Sequence, residues 1–232
     1  MTDAPPAAPT VVAEPALDRA LVWIGFPLAG ALAAWLLQLA ADWIAGLAWA
    51  PLQGPFTLIA SIDEPAATIG SLAVGFVGGA VLAVLAALDR LTATIGPGEV
   101  GLVRGSGETT TLERANVEGV FADGKSLVLL GQDGQELARE KSDLKAAALR
   151  AAFIAQGYPW LDDDPFKDAY RLWAPGMAGL PEGADALLAA RAQARGTHDD
   201  TDASTFAKEL RRLGVIVRDE KKHQYWRLVT PR

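Results

Sequence analysis

The chain has 232 residues, with 21 Lys and Arg against 28 Asp and Glu, a formal net charge of −7 and no cysteine. The lack of cysteine excludes disulfides, thiolate nucleophiles and thiolate-bound metals. Charge is unevenly distributed. Within residues 20–88 the only ionisable side chains are Asp42, Asp63 and Glu64. This range therefore belongs to a different structural class from the charged remainder.

The N-terminal segment is rich in Pro and Ala and shows no periodicity, so it cannot bury enough apolar surface to offset its ordering entropy. A signal peptide is the competing interpretation, but Arg19 is the first positive side chain and the apolar run after it exceeds a signal h-region. We expect residues 1–18 to be a disordered tail that is retained.

Two apolar runs, at about 21–41 and 67–88, predict transmembrane helices that form a hairpin within residues 19–90. About 20 residues rising 1.5 Å each span a hydrocarbon core of about 30 Å. Pro65 lies near the start of the second run and Asp89-Arg90 ends it. Buried soluble helices are the alternative, but without a charged face they would need a large core to cover them.

The distribution of Lys and Arg predicts orientation, because Arg19 and Arg90 flank the hairpin while its connecting loop has neither residue type. We expect a multi-pass protein of the bacterial inner membrane with both termini cytoplasmic. Ala, Gly, Pro and Arg usage indicates a GC-rich bacterial genome. We interpret Asp42 as solvated at the interface, with a proton-relay carboxylate as the alternative. The loop also offers aromatic side chains for an interface belt: Trp43, Trp49 and Phe56.

Small residues recur every four positions on the second apolar run, where they predict a smooth ridge for close helix packing. The ridge comprises Ser71, Gly75, Gly79, Ala83 and Ala87. The first run offers a matching row of Gly25, Ala29 and Ala33. We predict that the two rows pack the hairpin against itself, with homodimerisation as the alternative.

After Arg90 the periodicity alternates, which predicts five short strands. These are Glu99–Arg104, Glu108–Glu113, Val117–Phe121, Ser126–Leu130 and Glu136–Arg139. Asp123-Gly124 and Asp133-Gly134 are typical hairpin turns. A helix follows, with Ser142 as N-cap and Gly157 as terminator. Its predicted apolar face comprises Leu144, Ala148, Leu149, Ala152 and Phe153. Antiparallel strands closed by one helix, behind a transmembrane hairpin, resemble the bacterial pleckstrin-homology-like (PH-like) domains over residues 94–160.

Residues 161–232 predict a second small domain. Asp164 should cap a short helix from Pro165 to Trp173. Two helices and two strands should follow, at Ala184–Arg195, Ala203–Leu213, Val215–Arg218 and Gln224–Val229. The buried stripe of the second helix is expected to be Phe206, Leu210 and Leu213.

This C-terminal unit resembles the anticodon-binding module of cysteinyl-tRNA synthetases over residues 187–228. The matching residues are Leu187, Leu188, Arg191, Ala194, Arg195, Ala203, Glu209-Leu210, Leu213-Gly214-Val215-Ile216, Asp219 and Trp226. The resemblance implies a helix-helix-hairpin fold with a buried Trp226, and contact with RNA. The nucleotide-binding and zinc motifs of a synthetase are missing, so aminoacylation is excluded. The order of hairpin, PH-like domain and C-terminal module resembles the bacterial YqeB-type membrane proteins, which implies no activity.

From Thr205 onward eight basic side chains face three acidic ones, a surplus of five positive charges. Such a surface could follow a phosphate backbone, and an aromatic side chain could stack on a base. The alternative is a solvated face whose aromatic residues fill the core. Our candidate residues for an RNA or acidic protein partner are Lys208, Arg211, Arg212, Lys221, Lys222 and Tyr225.

Motifs for chemistry are weak. Gly96, Gly98 and Gly101 fit G-x-G-x-x-G but enter a strand, so we interpret them as a turn. The acidic residues near His198, which are Asp199, Asp200 and Asp202, should cap a helix, with a divalent ion as the alternative. We name no catalytic residue, metal or cofactor. The sequence predicts an α+β membrane protein that acts as a non-enzymatic binding or scaffolding protein. The alternative is a small transporter-like or hydrolytic membrane protein.

Overall fold

The computed structural model describes residues 8–40 and 65–229. The predictions for Asp42 and for the aromatic belt of Trp43, Trp49 and Phe56 lie outside the described residues. The chain forms two compact units: one contains residues 13–92 and 103–108, and the other contains the N-terminal strand, residues 93–102 and everything from Thr109 onward.

The first unit is built on two helices, α1 (Ala16–Leu39) and α2 (Ala66–Leu88). Both are long and apolar enough to cross a membrane, and only 6% and 17% of their most apolar windows are buried. Core helices of a soluble protein would be mostly buried, so these two candidate spans indicate membrane association. Helix α1 begins earlier than expected, after Pro15 and with Asp18 in its first turn, because both residues favour a helix start.

Strand β1 (Thr10–Val12) pairs antiparallel with β2 (Leu91–Ile95). The amide of Gln156 also donates hydrogen bonds to the Ala8 carbonyl (2.9 Å) and the Thr10 hydroxyl (3.1 Å). The predicted disordered tail is therefore wrong from Ala8 onward. Its composition did predict disorder, but these residues are ordered by partners that lie far along the chain.

The five predicted strands lie in two sheets. A sheet of order β1-β2-β3-β4 contains β3 (Glu99–Arg104) and β4 (Thr110–Glu113). A sheet of order β5-β6-β7 contains β5 (Gly119–Asp123), β6 (Ser126–Leu130) and β7 (Glu136–Lys141). All five predicted strands are confirmed, β3 and β6 at their predicted bounds. Asp133-Gly134, with φ 57° and 72°, form the second predicted turn. The first is shifted by one residue, because Asp123 ends β5 and the turn is Gly124-Lys125, with φ +58° at Gly124.

Helix α3 (Ala146–Ala155) closes this part and ends before Gly157, which has φ +74°. Ser142 is not its N-cap: the Ser142 hydroxyl accepts from the Leu144 amide (3.2 Å), and the helix begins after Lys145. The buried face comprises Leu149, Ala152 and Phe153. Ala148 is exposed and Leu144 only half-buried, which corrects the predicted stripe. The helix begins later than predicted, so Leu144 precedes it.

No α-helix spans Pro165 to Trp173. One 3-10 turn (Lys167–Ala169) and the short strand β8 (Arg171–Leu172) occupy this stretch. Asp164 is not its N-cap, which is Phe166 without a side-chain capping bond. The Asp164 carboxylate accepts from the Phe166 amide (2.8 Å) just before the turn. Strand pairing prevents the helix, since β8 pairs antiparallel with a strand near the C-terminus.

The C-terminal module contains α4 (Ala184–Gly196), α5 (Asp200–Arg212), β9 (Val215–Glu220) and β10 (His223–Leu228), in a sheet of order β8-β10-β9. Its core contains Leu188, Leu210 and Trp226, so the predicted burial of Trp226 is confirmed. Leu213 is 40% exposed and Phe206 only half-buried, contrary to prediction. Helix α5 ends at Arg212, which places Leu213 beyond the helical stripe.

Candidate binding surface and arginine contact

The candidate binding residues do not form one exposed surface. Lys208 and Arg212 are exposed on α5, and Lys221 and Lys222 are exposed in the turn between β9 and β10. Arg212 forms an ion pair with Glu209 at 2.6 Å. Four of the six residues are thus accessible to a partner.

Arg211 and Tyr225 are half-buried. Burial lowers the pKa of Arg211, while Glu136 and Glu140 on β7 act in the opposite direction. Arg211 therefore lies in the field of the PH-like sheet. Tyr225 lies on β10 directly opposite Arg218 of β9.

Two other arginines of the predicted surplus also contact the PH-like half. Arg218 lies 3.4 Å from Asp123 and 4.0 Å from Asp164. Arg227 is 3% exposed, donates to the Gly134 carbonyl at 2.7 Å and lies 4.4 Å from the Phe166 ring centroid. The surplus of five positive charges therefore does not form one exposed surface, because Arg211, Arg218 and Arg227 are turned inward. Arg232 lies outside the described residues.

Strand alternation explains this direction. On β10, Gln224 and Trp226 point to the helices of the module, so Tyr225 and Arg227 point to the opposite face. The partner of Arg227 on β9 is Ile216, which is 1% exposed. A buried isoleucine and arginine on this face show that it is covered. The alternation of β10 could be predicted from the sequence, but the sheet that covers the face of Tyr225 and Arg227 could not.

The side of the β5–β7 sheet that covers this face is acidic. Glu136 is 3% exposed and accepts hydrogen bonds from Arg139, the shortest at 2.7 Å, while Arg139 also donates to Asp123 at 2.8 Å. Burial alone would lower the pKa of Arg139, but Glu136, followed by Asp123, raises it. These residues form a charge network on one face of the β5–β7 sheet.

Asp164 and Tyr170 complete the network. Burial raises the pKa of Asp164, against the opposing effects of the Phe166 amide and Arg227. Burial, with Glu136 second, likewise raises the pKa of Tyr170. The buried Oδ2 of Asp164 and the Nε and Nη1 of Arg227 make no hydrogen bond within the described residues. Incompletely paired buried charges are costly, so this contact is less stable than a saturated one.

The acidic loop before α5 acts as predicted. The Asp199 carboxylate accepts from the Asp202 amide at 2.9 Å, which caps the helix. Asp200 pairs with Lys141 of β7 at 2.8 Å, and hydrogen bonding to Lys141 lowers the pKa of Asp200. Within residues 8–40 and 65–229, no three His, Asp or Glu side chains group as metal ligands. Gly96 donates to the Glu99 carbonyl at 2.9 Å, which confirms a turn.

Residues that match the synthetase module make polar contacts inside the C-terminal module of this chain. Arg191 makes a two-pronged contact with the Asp219 carboxylate, both bonds at 2.7 Å, and a 2.5 Å bond to the Gln224 side chain. Gln224 in turn donates to the Leu188 carbonyl at 3.0 Å. Gln224 is a site residue that the sequence reasoning missed. The matching positions therefore maintain the fold.

The small-residue ridge of α2 faces α1, as predicted. A Cβ added to Gly79 would meet the backbone of Phe26 and Pro27, and one added to Gly75 would meet the Gly30 carbonyl. Ala83 is fully buried. Ser71 donates to the Gln38 side chain at 3.0 Å. The hairpin therefore packs against itself along the ridge.

The matching row on α1 was predicted wrongly. Helix α1 contacts the ridge through Pro27, Gly30 and Ala34, whereas no atom of the described residues lies within 4 Å of a Cβ on Gly25. Ala29 and Ala33 are exposed with Gly25. The first helix has two small-residue rows, and spacing alone could not select between them. The exposed row leaves homodimerisation as a prediction.

Comparison with known proteins gives two family matches, a YqeB-like bacterial PH domain over residues 10–161 and a cysteinyl-tRNA ligase anticodon binding domain over residues 177–227. The chain is similar to "Uncharacterized protein YqeB" of Bacillus subtilis (strain 168), with 37% identity over 91% of this chain and 86% of the relative. No solved structure matches. The three resemblances inferred from the sequence are confirmed, and the chain belongs to the family of proteins with a YqeB-like bacterial PH domain.

Proposed function

We propose that this chain is a membrane-tethered, non-enzymatic binding or scaffolding protein that presents two small cytoplasmic domains to a protein or RNA partner. The supporting observation is where its buried ionisable residues lie. Arg227 of the C-terminal module donates to the Gly134 carbonyl of the PH-like part, beside the buried ion pair of Glu136 and Arg139. Perturbed groups at an active site would face a cleft, whereas these groups face a domain contact.

The membrane location we propose is the bacterial inner membrane, with both termini in the cytoplasm. Arg90 forms a 2.9 Å ion pair with Glu14, and Arg104 donates to the Asp89 carbonyl at 2.6 Å. These charges lie beside the start of α1 and the end of α2, where cytoplasmic ends carry excess positive residues.

The accessible basic residues suit an anionic partner, either RNA or an acidic protein. Lys221 and Lys222 project from a turn, and Lys208 and Arg212 lie on the exposed side of α5. Four such cations, one already paired with Glu209, support weak electrostatic binding rather than specific recognition.

Fluorescence polarisation of the purified full chain in detergent tests this surface. A labelled single-stranded RNA should bind weakly at low salt, with affinity falling by a log–log slope of about 0.7 per phosphate contact. Alanine at all four accessible positions should weaken binding and flatten the slope, because it removes the contacting charges. tRNA should bind no better than an unrelated RNA.

A control variant should carry alanine at four exposed basic positions outside this surface, namely Lys125, Lys145, Arg150 and Lys167. It changes the net charge equally, so its affinity should stay near that of the unmodified chain. An equal loss in both variants would contradict a localised surface. No RNA binding at low salt would leave a protein partner, to be sought by crosslinking in membranes.

A further inference from the structure

We propose that docking of the C-terminal module on the PH-like sheet is an autoinhibitory contact, which covers an arginine face and opens to an anionic partner. The arginine face is defined as Arg211, Arg218, Tyr225 and Arg227. The covering carboxylate face is defined as Asp123, Glu136, Glu140 and Asp164. The proposal rests on the proposed function and adds its regulation.

The two faces are complementary in charge. Arg218 lies between Asp123 and Asp164, Arg227 reaches the Gly134 carbonyl, and the field at Arg211 is set by β7. Outside this network, Lys141 pairs with Asp200 at 2.8 Å in an exposed bridge. Carboxylates here take the place that phosphates would take in an anionic ligand, because both bind a guanidinium through two oxygens.

The contact is polar and incompletely paired, which suits a reversible contact. Asp164 Oδ2 and two nitrogens of Arg227 are buried without a hydrogen bond among the described residues. Ile216 is the fully buried apolar residue on the contacting side of β9. A competing polyanion could satisfy the arginines that docking leaves partly unpaired, so ligand binding and docking should exclude each other.

The PH-like sheet and the C-terminal module have separate apolar clusters. Phe121, Val128 and Leu130 pack with Leu161 and Phe166 in the PH-like half. Leu188, Leu210 and Trp226 form a separate cluster in the module. The link between them is the exposed 3-10 turn Lys167–Ala169, so little packing opposes a change there.

Crosslinking of the full chain in detergent measures docking directly. The chain has no cysteine, so Lys141→Cys with Asp200→Cys gives one reactive pair at the exposed bridge. A short bifunctional maleimide should join the pair in high yield and fix the docked state. Circular dichroism and thermal melting should verify that each variant is folded.

Asp123→Asn together with Glu140→Gln should release the contact. The variant neutralises Asp123, which lies 3.4 Å from Arg218, and Glu140, whose charge raises the pKa of Arg211. Asn at position 123 keeps the shape of the Asp side chain at the end of β5 and leaves the Gly124-Lys125 turn unchanged. The matched control is Asp143→Asn, which removes an exposed ion pair with Lys125 beside the same sheet. Should the double variant not fold, Asp123→Asn alone provides the same test at Arg218.

The release variant should crosslink poorly and bind a labelled single-stranded oligouridylate more tightly than the unmodified chain. Its log–log salt slope should steepen by about 2, as three arginines at about 0.7 each become available. The crosslinked form should lose this gain, and Asp143→Asn should behave as the unmodified chain.

Two results would overturn the proposal. One is an unchanged crosslinking yield in the release variant, which would show that charge does not hold the contact. The other is lost crosslinking with unchanged oligouridylate affinity, which would show that the covered face binds no polyanion. Binding by the unmodified chain that release does not alter would leave the proposed function standing while refuting autoinhibition. Binding only after release would support autoinhibition and refute RNA binding by the accessible basic surface.

Discussion

Asp164 shows how one carboxyl group couples the domain contact to pH. Burial raises its pKa above the ordinary 3.8, so its charged form is disfavoured in the folded chain. Its stabilising contribution is therefore greatest below pH 3.8, where the group is neutral both folded and unfolded. The contribution falls as pH rises through the folded-state pKa.

Asp164→Asn should therefore raise the melting temperature of the compact unit that contains Asp164, most strongly at neutral pH. The variant keeps an oxygen for the Phe166 amide but cannot ionise. The advantage over the unmodified chain should shrink as pH is lowered toward 3.8. Thermal unfolding followed between pH 4 and 8 measures it. An advantage that instead grows on acidification would mean that Arg218 and Arg227 stabilise the charged form more than burial opposes it.

At the scale of elements, packing of α1 against α2 depends on glycine at the helix crossing. Gly79→Leu should force α1 and α2 apart, because even a Cβ at this position would meet the Phe26 carbonyl and Pro27. Overpacking of this kind costs about 1–3 kcal/mol or more. The expected result is a lower melting temperature in detergent.

Gly25→Leu is the matched control, since a Cβ there meets nothing within 4 Å. It should leave the melting temperature unchanged. Size-exclusion chromatography of both variants adds the oligomeric state: a smaller particle only in Gly25→Leu would assign the exposed row to a homodimer. Unchanged stability in Gly79→Leu would show that the ridge is not needed for packing.

Local patterns predicted the elements whose signals are local. The alternation of apolar and polar residues predicted β3 and β6 at their observed bounds. The length of the two apolar runs predicted both long helices. Strand β1 was missed because pairing with β2 orders a segment whose composition predicts disorder. Strand β2 could have been found, since Leu91, Ala93 and Ile95 alternate as buried residues. The short helix predicted after Pro165 failed because β8 gains a partner that is remote in sequence.

At the scale of the whole molecule, the sequence predicted which domains exist but not how they are used. The family matches follow from residues such as Arg191, Asp219 and Trp226, which are spaced along a single module. The direction of Arg218 and Arg227 depends on a second domain that covers them. Charge counting treats each basic residue as solvated, and so it overestimated the binding surface.

Membrane orientation is the remaining prediction for the whole chain. Lys and Arg are absent between the two helices and present on both flanks, as in Arg19 and Arg90. Cytoplasmic loops carry this excess, so both termini should be cytoplasmic. Single cysteines at Ser61, between the helices, and at Ser106, which is exposed after β3, can be labelled in intact cells. An impermeant thiol reagent should label Ser61→Cys and not Ser106→Cys, and the cysteine-free parent supplies a background without signal. Both positions should react after the cells are lysed, which verifies that each thiol is accessible. Labelling of Ser106→Cys alone in intact cells would reverse the orientation, and with it the compartment in which the arginine face meets a partner.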